Sequence, residues 1–460
     1  MIDTIDIKLL RKYDVPAPRY TSYPPAPFFN NSFTVEDYYE AIRINNIAKN
    51  SSDLSLYFHI PFCDTLCYFC GCNMIVSRDQ ARMRRYLDYL IQELIIIRGM
   101  LAEGRKVVQM HWGGGSPSNL SPENIIYLGS RIKELFNFSS DAEIGVEVDP
   151  RNLSYEHVKA FHEVGFNRIS IGVQDFNPEI QKIINREQSV AITEQSIQWA
   201  RALGFKSINI DLIYGLPLQT AEKFEDTLDI IIKLAPERIA VFNFAYVPWI
   251  KPHQKLIKRE WLPQPEEKVK LLIKTIQKLS DAGYMYIGMD HFAKPNDELA
   301  IAQKNKMLYR NFQGYSTHAN ADLYAFGISS ISQFENIYSQ NYKNIKQYYE
   351  FLNEGRLPVY VGYKLTEDDV IRRDVIMKLM CQMELDISYI EKKYNIIFDE
   401  YFAESIEKLK ILIDDGLLRF ENKKLIVSFM GRLLIRNIAY CFDAHSDKLR
   451  AEKQIFSKSV

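Results

Sequence analysis

The stretch His59-Ile60-Pro61-Phe62-Cys63-Asp64-Thr65-Leu66-Cys67-Tyr68-Phe69-Cys70-Gly71-Cys72-Asn73 leaves a short run rich in apolar and aromatic residues, 56–60, and carries four thiols at the spacing C-x₃-C-x₂-C-x-C. A run of that composition reads as a strand, and a loop leaving it holds chemistry if the strand belongs to a barrel whose strand ends gather around one mouth. Iron–sulfur clusters take cysteine thiolates. Three cysteines on one short loop can reach three corners of a cubane and leave one iron open. Structural zinc is the alternative, but it usually pairs two hooks separated by a longer stretch, and here no second hook and no spaced His pair follow. Cys381 and Cys441 stand alone and read as buried apolar thiols.

Outward from this loop the chain alternates. Strand-like runs at 56–60, 107–111, 143–147, 168–173, 207–213, 239–243 and 285–289 are separated by helical patterns, such as Leu87, Leu90, Ile91 and Leu94 at i, i+3, i+4, i+7. Near-continuous apolar strands suit a parallel sheet buried on both faces, joined by right-handed crossovers. The spacing of the strands predicts an α/β fold, a closed or partial (β/α) TIM-like barrel, with a doubly wound open sheet as the other solution. Three units are expected: an N-terminal Pro/Tyr-rich arm (1–50), the barrel with the cysteine loop (51–335), and a mainly helical C-terminal unit covering the site (336–460). In the last unit a hairpin at 416–420 and 424–427 follows helices, as in a winged helix, but no basic recognition helix accompanies it, so nucleic acid is not an expected partner.

Composition bounds the function. Among 460 residues, Lys plus Arg number 57 and Asp plus Glu 58, a net charge of −1 that offers no general pull toward nucleic acid or anionic membrane. The 47% hydrophobic and 25% charged content is that of an ordinary globular protein and excludes disordered and fibrous classes. Met1-Ile2-Asp3-Thr4-Ile5-Asp6 is acidic where a secretory signal is basic, and apolar tracts such as 94–97 and 230–232 are far too short to span a bilayer. A cytoplasmic, reducing location is expected, in which a thiol cluster means metal or catalysis.

The C-x₃-C-x₂-C loop resembles that of the radical S-adenosylmethionine (SAM) enzymes. A narrower resemblance runs the length of the chain. Pro18-Arg19-Tyr20-Thr21-Ser22-Tyr23-Pro24, His59-Ile60-Pro61-Phe62-Cys63, Cys67-Tyr68-Phe69-Cys70-Gly71-Cys72-Asn73, His111-Trp112-Gly113-Gly114-Gly115, Glu147-Val148-Asp149-Pro150-Arg151, Gly172-Val173-Gln174-Asp175-Phe176, Arg310-Asn311-Phe312-Gln313-Gly314-Tyr315 and Gly431-Arg432-Leu433-Leu434-Ile435-Arg436-Asn437 are similar to the oxygen-independent coproporphyrinogen III oxidase family. The resemblance implies a [4Fe-4S] cluster on Cys63, Cys67 and Cys70, with Cys72 a nearby non-ligand that matters for activity. It implies two SAM molecules: Tyr57, Gly114, Glu147 and Ile331 would serve the first, and Phe69, Gly115, Ser116, Gln174, Arg186, Asp211 and Ala245 the second. Tyr57 reads equally as a barrel-wall aromatic, and Ser116 stands where the family more often has Thr.

The implied reaction converts two propionates of coproporphyrinogen III to vinyl groups, giving protoporphyrinogen IX in haem biosynthesis. It would need a small flavodoxin- or ferredoxin-like reductant and an electron acceptor that the sequence does not name, and the enzyme would be a monomer. Arg19, Tyr20 and Arg310 are candidate partners of the propionates by charge and position. Two relatives of the same superfamily offer other functions, haem trafficking and methylation of haem. Cys72, the 18–24 arm and the 310–315 segment speak against the first.

Overall fold

The computed structural model describes residues 6–48, 53–319, 321–447 and 456. Residues 1–5 and 49–52, within the expected arm and at its border with the barrel, and most of the chain beyond 447 lie outside the described residues.

Twelve strands form one sheet: β1 Leu54–Ile60, β2 Lys106–Gly114, β3 Asn137–Val148, β4 Arg168–Gln174, β5 Ser207–Tyr214, β6 Arg238–Asn243, β7 Met285–Gly288, β8 His291–Ala293, β9 Asp322–Phe326, β10 Ile331–Phe334, β11 Ile337–Asn341 and β12 Val359–Lys364. Their order is β12-β11-β10-β9-β1-β2-β3-β4-β5-β6-β8-β7. From β9 through β1 to β6 every neighbour is parallel, and the pairs outside that block are antiparallel. The two end strands do not pair with each other among the described residues, so the barrel is partial.

All seven expected strands form, but the last is not where the alternation would put it. Gly288 (φ +146°) and Met289 (φ +52°) turn the chain sharply, and β8 folds back to lie between β6 and β7. The parallel block is completed instead by β9, whose sequence the periodicity did not single out. The sheet also continues past residue 335 through β11 and β12, with a helix at Ile345–Asn353 between them, before the run of helices that starts at Glu367.

The crossover helices begin where a side chain can accept the free amides of a first turn. Asp79 caps α1 (Gln80–Met100), Ser121 caps α2 (Pro122–Leu135), Ser154 caps α3 (Tyr155–Glu163), Ser189 caps α4 (Val190–Ala202) and Thr220 caps α5 (Ala221–Leu234). Their apolar faces cover one side of the strands. Phe58, Trp112, Val146 and Ile171 are fully buried there, and Trp112 meets Phe166 edge-on at 4.9 Å. The other strand face is polar, which the apolar runs did not suggest: Tyr57, His111, Glu147, Ser170, Asn209 and Asp211 alternate with the core residues. The sheet register sets Tyr57 opposite His111, Glu147 opposite Ser170, Ser170 opposite Asn209, and Gly172 opposite Asp211.

The hairpin Tyr309–Asn311 with Gly314–Ser316 bridges the open side of the barrel. Gln333 of β10 donates to the Tyr309 hydroxyl (2.8 Å), the Tyr315 ring packs edge-on against His291 of β8 (5.3 Å), and the Tyr315 hydroxyl donates to Met380 O in helix α6 (Glu367–Gln382) (3.1 Å). The arm is clamped from the other end of the chain. Arg436 donates to Ala17 O and Pro18 O, Asn437 Nδ2 to Tyr13 O (3.0 Å), and Tyr20, 1% exposed, to Asp443 (2.9 Å). The C-terminal hairpin forms as Leu418–Glu421 and Lys424–Val427, with Glu384–Asp386 added as a third strand. No helix among the described residues is long and apolar enough to cross a membrane.

Candidate active site

The cysteine loop leaves β1 at the end where the parallel strands terminate. Its base is clipped by a two-residue parallel pairing, Phe62–Cys63 with Ile75–Val76, and by Ser77 N donating to Cys63 O (2.9 Å). Its far side is tied to other elements: Tyr68 N donates to Ile184 O (3.0 Å), Asn185 Nδ2 to Leu66 O (2.7 Å), Gln254 Nε2 to Phe69 O (3.0 Å), His253 to Cys70 O (2.8 Å) and Lys251 to Cys72 O (2.8 Å). The loop is therefore held by its backbone, and its shape does not depend on its thiols.

Those thiols open into one pocket. Cys63, Cys67, Cys70 and Cys72 line it together with Phe69, Gly115, Ser116, Glu147, Gln174, Arg186 and Asp211, and with Asp149, Arg151 and Ser170, to which the sequence reading assigned no role. Tyr57 and Gly114 sit just behind the lining. The Tyr57 hydroxyl is 3.2 Å from His59 Nδ1 and its ring is stacked 6.2 Å from that of His111, while Gly114 N donates to Glu147 Oε2 (3.3 Å). Ala245 is exposed and its carbonyl accepts from Gln254 (3.1 Å). Ile331 packs beside the cluster of Phe29, Tyr338 and Leu365. A larger cavity of 650 Å³ lies between 306–309, 333–335 and α6, and no cysteine lines it.

The glycines let the main chain close in. A Cβ on Gly115 would lie 2.6 Å from Pro61 backbone, and one on Gly114 (φ +114°) 2.5 Å from the His59 ring. Ser116 is buried, and its hydroxyl accepts from Asp149 N (3.2 Å) beside Ser118 (2.8 Å), which joins the ends of β2 and β3. Gln174 reaches the pocket through a register break in β4 between Gly172 and Gln174, with a left-handed backbone (φ +70°) that is uncommon for a residue with a side chain.

Charge is arranged in two groups. Asp149 accepts from Arg151 (2.7 Å) and Arg186 (2.9 Å), and each guanidinium also donates to Cys67 Sγ at 3.5 Å, while Arg186 Nη2 donates to Gly172 O (2.6 Å). Burial alone would raise the Asp149 pKa, but Arg186 and Arg151 outweigh it and hold the carboxyl below its usual range. Deeper in the mouth, Glu147 is 3.1 Å from His111. Burial again opposes ionisation there, and the hydrogen bond and charge of His111 with the Gly114 amide overcome it. Asp211 accepts from Ser170 (2.7 Å) and Asn209 (2.8 Å), yet burial, with the Glu147 charge adding to it, pushes its pKa up to about 6. The pKa values of two carboxyls in one pocket are thus pushed apart, that of Glu147 down and that of Asp211 up to about 6.

A raised carboxyl pKa costs stability as pH climbs. The burden builds from the unfolded value of 3.8 and is complete above about 6. Between pH 4.5 and 7.5, the wild-type protein is therefore expected to lose about 2 kcal/mol of unfolding free energy relative to Asp211→Asn. Urea titrations of both proteins at the two pH values would measure this, and parallel pH dependence would show Asp211 to be unperturbed.

The donor set fits an iron–sulfur cluster. It comprises soft thiols from one loop with two guanidiniums beside the buried one, and the acids that share the lining beside them, Asp64 and Asp149, are each paired with arginine. Among the described residues no three His, Cys, Asp or Glu side chains gather tightly enough for a single metal ion, whereas a cluster takes each thiolate on a different iron.

Comparison with known proteins adds the following. The family model of the Radical SAM superfamily matches residues 57–231, and that of the HemN C-terminal domain matches 365–434. Oxygen-independent coproporphyrinogen III oxidase of Synechocystis sp. is 45% identical over 98% of the chain and 97% of its own length. That of Escherichia coli is 46% identical over 99% and 98%. The solved structure of coproporphyrinogen III oxidase (HemN) from Escherichia coli, described as a radical SAM enzyme, superposes with a TM-score of 0.92 at 45% identity, covering 97% of this chain and all of that one.

Proposed function

The chain belongs to the oxygen-independent coproporphyrinogen III oxidases of the radical SAM superfamily, and from that premise we propose that it turns two propionate side chains of coproporphyrinogen III into vinyl groups, yielding protoporphyrinogen IX. Each conversion removes one hydrogen atom, one electron and one molecule of carbon dioxide. Enzymes of this superfamily use a [4Fe-4S] cluster and SAM, and when bound these supply a 5′-deoxyadenosyl radical able to take a hydrogen atom from an unactivated carbon.

The chain's own residues have separate tasks in this reading. Cys63, Cys67 and Cys70 hold the cluster. Arg151 and Arg186 donate to Cys67 Sγ and so orient it. Glu147, kept ionised by His111, is an acceptor for hydroxyl or ammonium groups, and Asp211 accepts at neutral pH and can donate only once protonated, below about pH 6. Arg186 also offers charge to a carboxylate, and Gly114 and Gly115 let the end of β2 pack against His59 and Pro61, where a side chain would collide. Two SAM molecules would share these groups, Tyr57, Gly114, Glu147 and Ile331 toward one and Phe69, Gly115, Ser116, Gln174, Arg186, Asp211 and Ala245 toward the other. Cys72, exposed on the same loop, would act in the reaction without ligating. Of the proposed propionate partners, Arg19 is paired with Asp290, and Arg310 lies over the Tyr315 ring with one terminal nitrogen unpartnered. Tyr20 is engaged with Asp443 and serves the arm. The arm, barrel and helical unit would work as a monomer in the cytoplasm.

The observation that carries this reading is that the three candidate ligands open into the same pocket as Glu147, Asp211 and Arg186. Anaerobic reconstitution with iron, sulfide, dithionite, SAM and coproporphyrinogen III tests it. The expected product has lost two carboxyl groups per macrocycle, with 5′-deoxyadenosine formed. A methylated tetrapyrrole, or haem retained in stoichiometric amount without turnover, would overturn it.

A further inference from the structure

The segment that holds the cysteine loop from outside carries its own surface. Gln254 is fully buried. It accepts from Val247 N (2.6 Å) and donates to Phe69 O and Ala245 O, while Tyr246 donates to Ile257 O (3.2 Å). The chain around this anchor is thus braced in one conformation. Between its anchored positions it turns outward three large apolar side chains, Trp249 (56% exposed), Ile250 (55%) and Leu256 (56%). Exposed apolar residues scattered singly need no explanation, but three within eight residues form a patch.

Interleaved with them are Lys251, Lys255, Lys258 and Arg259, and no acid occurs from 249 to 259. Lys255, Lys258 and Arg259 are exposed and form no ion pair with a described residue, and Lys258 lies over the Trp261 ring at 4.8 Å. In a chain whose net charge is −1, four cations in eleven residues are a local concentration. Exposed apolar side chains interleaved with cations suit a protein-binding surface, with charge directing the encounter.

Its location says what the partner brings. His253 and Lys251 donate to the carbonyls of Cys70 and Cys72, so this surface is separated from the thiol loop by single hydrogen bonds. Resting on the function proposed above, we propose that residues 249–259 are the docking surface for a small acidic one-electron carrier protein that reduces the enzyme. Acidic side chains on the carrier meet Lys255, Lys258 and Arg259, and its redox group lies against Trp249 and Leu256. One electron passes inward per encounter, and the carrier leaves oxidised by one electron. A small patch suits a contact that must release after each transfer.

The test compares two electron sources in the reconstituted enzyme, an acidic flavodoxin in its reduced form and dithionite. The triple variant Lys255→Glu/Lys258→Glu/Arg259→Glu is expected to lower flavodoxin-driven 5′-deoxyadenosine formation about ten-fold at low salt. Dithionite-driven formation and the KM for coproporphyrinogen III should be unchanged. Trp249→Ala, which leaves the charges in place, should give a smaller loss of about three-fold with flavodoxin alone. The wild-type rate with flavodoxin should fall as ionic strength rises, and that of the triple variant should not. Equal rates of variant and wild type with flavodoxin would overturn the proposal. So would equal losses with both donors, or a raised substrate KM, which would make this a substrate or structural surface. If wild-type enzyme forms no 5′-deoxyadenosine even with dithionite, the function itself fails, an outcome separate from failure of the docking surface.

Discussion

Serine at Cys63, Cys67 or Cys70 is expected to abolish thiolate-to-iron absorption in anaerobically reconstituted protein and to reduce 5′-deoxyadenosine formation by on the order of a thousand-fold or more. Serine has nearly the size of cysteine, but its hydroxyl is a hard, weakly acidic donor that does not replace a soft thiolate. The loop should survive each change, because its main chain is held by the Tyr68 N–H donating to Ile184 O and by the side chains of Gln254, His253 and Lys251 donating to its carbonyls, rather than by the sulfurs. Cys72→Ser is expected to behave differently. Its amide donates to Cys70 Sγ at 3.4 Å, its carbonyl accepts from Lys251 and its thiol is hydrogen-bonded to Cys70, a contact a serine hydroxyl can keep, so the absorption should remain while turnover falls. Full absorption in a Cys63→Ser, Cys67→Ser or Cys70→Ser protein would rule out that residue as a ligand.

The second large effect is expected at Arg186. Replacement by Met leaves Asp149 with Arg151 alone and strips Gly172 O of its donor, both in buried surroundings. Breaking a buried pair from one side costs about 3–5 kcal/mol, which a shifted urea midpoint would register. Arg186→Lys keeps the charge but cannot reach Asp149, Cys67 and Gly172 at once, because the ammonium lacks the planar fork. It should recover part of the stability and little of the SAM affinity, measured by equilibrium binding to the cluster-loaded enzyme. A variant as stable as wild type would mean that Arg151 alone satisfies Asp149.

The legible part of the site is local. The cysteines lie within ten residues, so their spacing already limits where the thiols can go, and a strand–loop–helix pattern around them implies a barrel mouth. Glu147 lies one residue from the end of its strand, which delivers it to that mouth, whereas Asp211 lies three residues before the end of its own and reaches the pocket because alternation turns it to the polar face. Asp149 and Arg151 were visible as Asp149-Pro150-Arg151 just past a strand, where proline starts a short turn of helix, yet nothing in that triplet says that it will grip Arg186, 35 residues beyond Arg151.

Residue order by itself determined the cysteine loop, six of the seven parallel strands and the caps that start the crossover helices, since each depends on neighbours within a few residues. Tertiary structure alone decided that β8 displaces β7, that β9 completes the parallel block, that a register break aims Gln174 into the pocket, and that Tyr20 is taken up by Asp443. An alternating or apolar run has the same pattern whichever strand it pairs with. Which partner it meets, and which face then becomes the inside, is settled only when distant segments compete to bury their surfaces together.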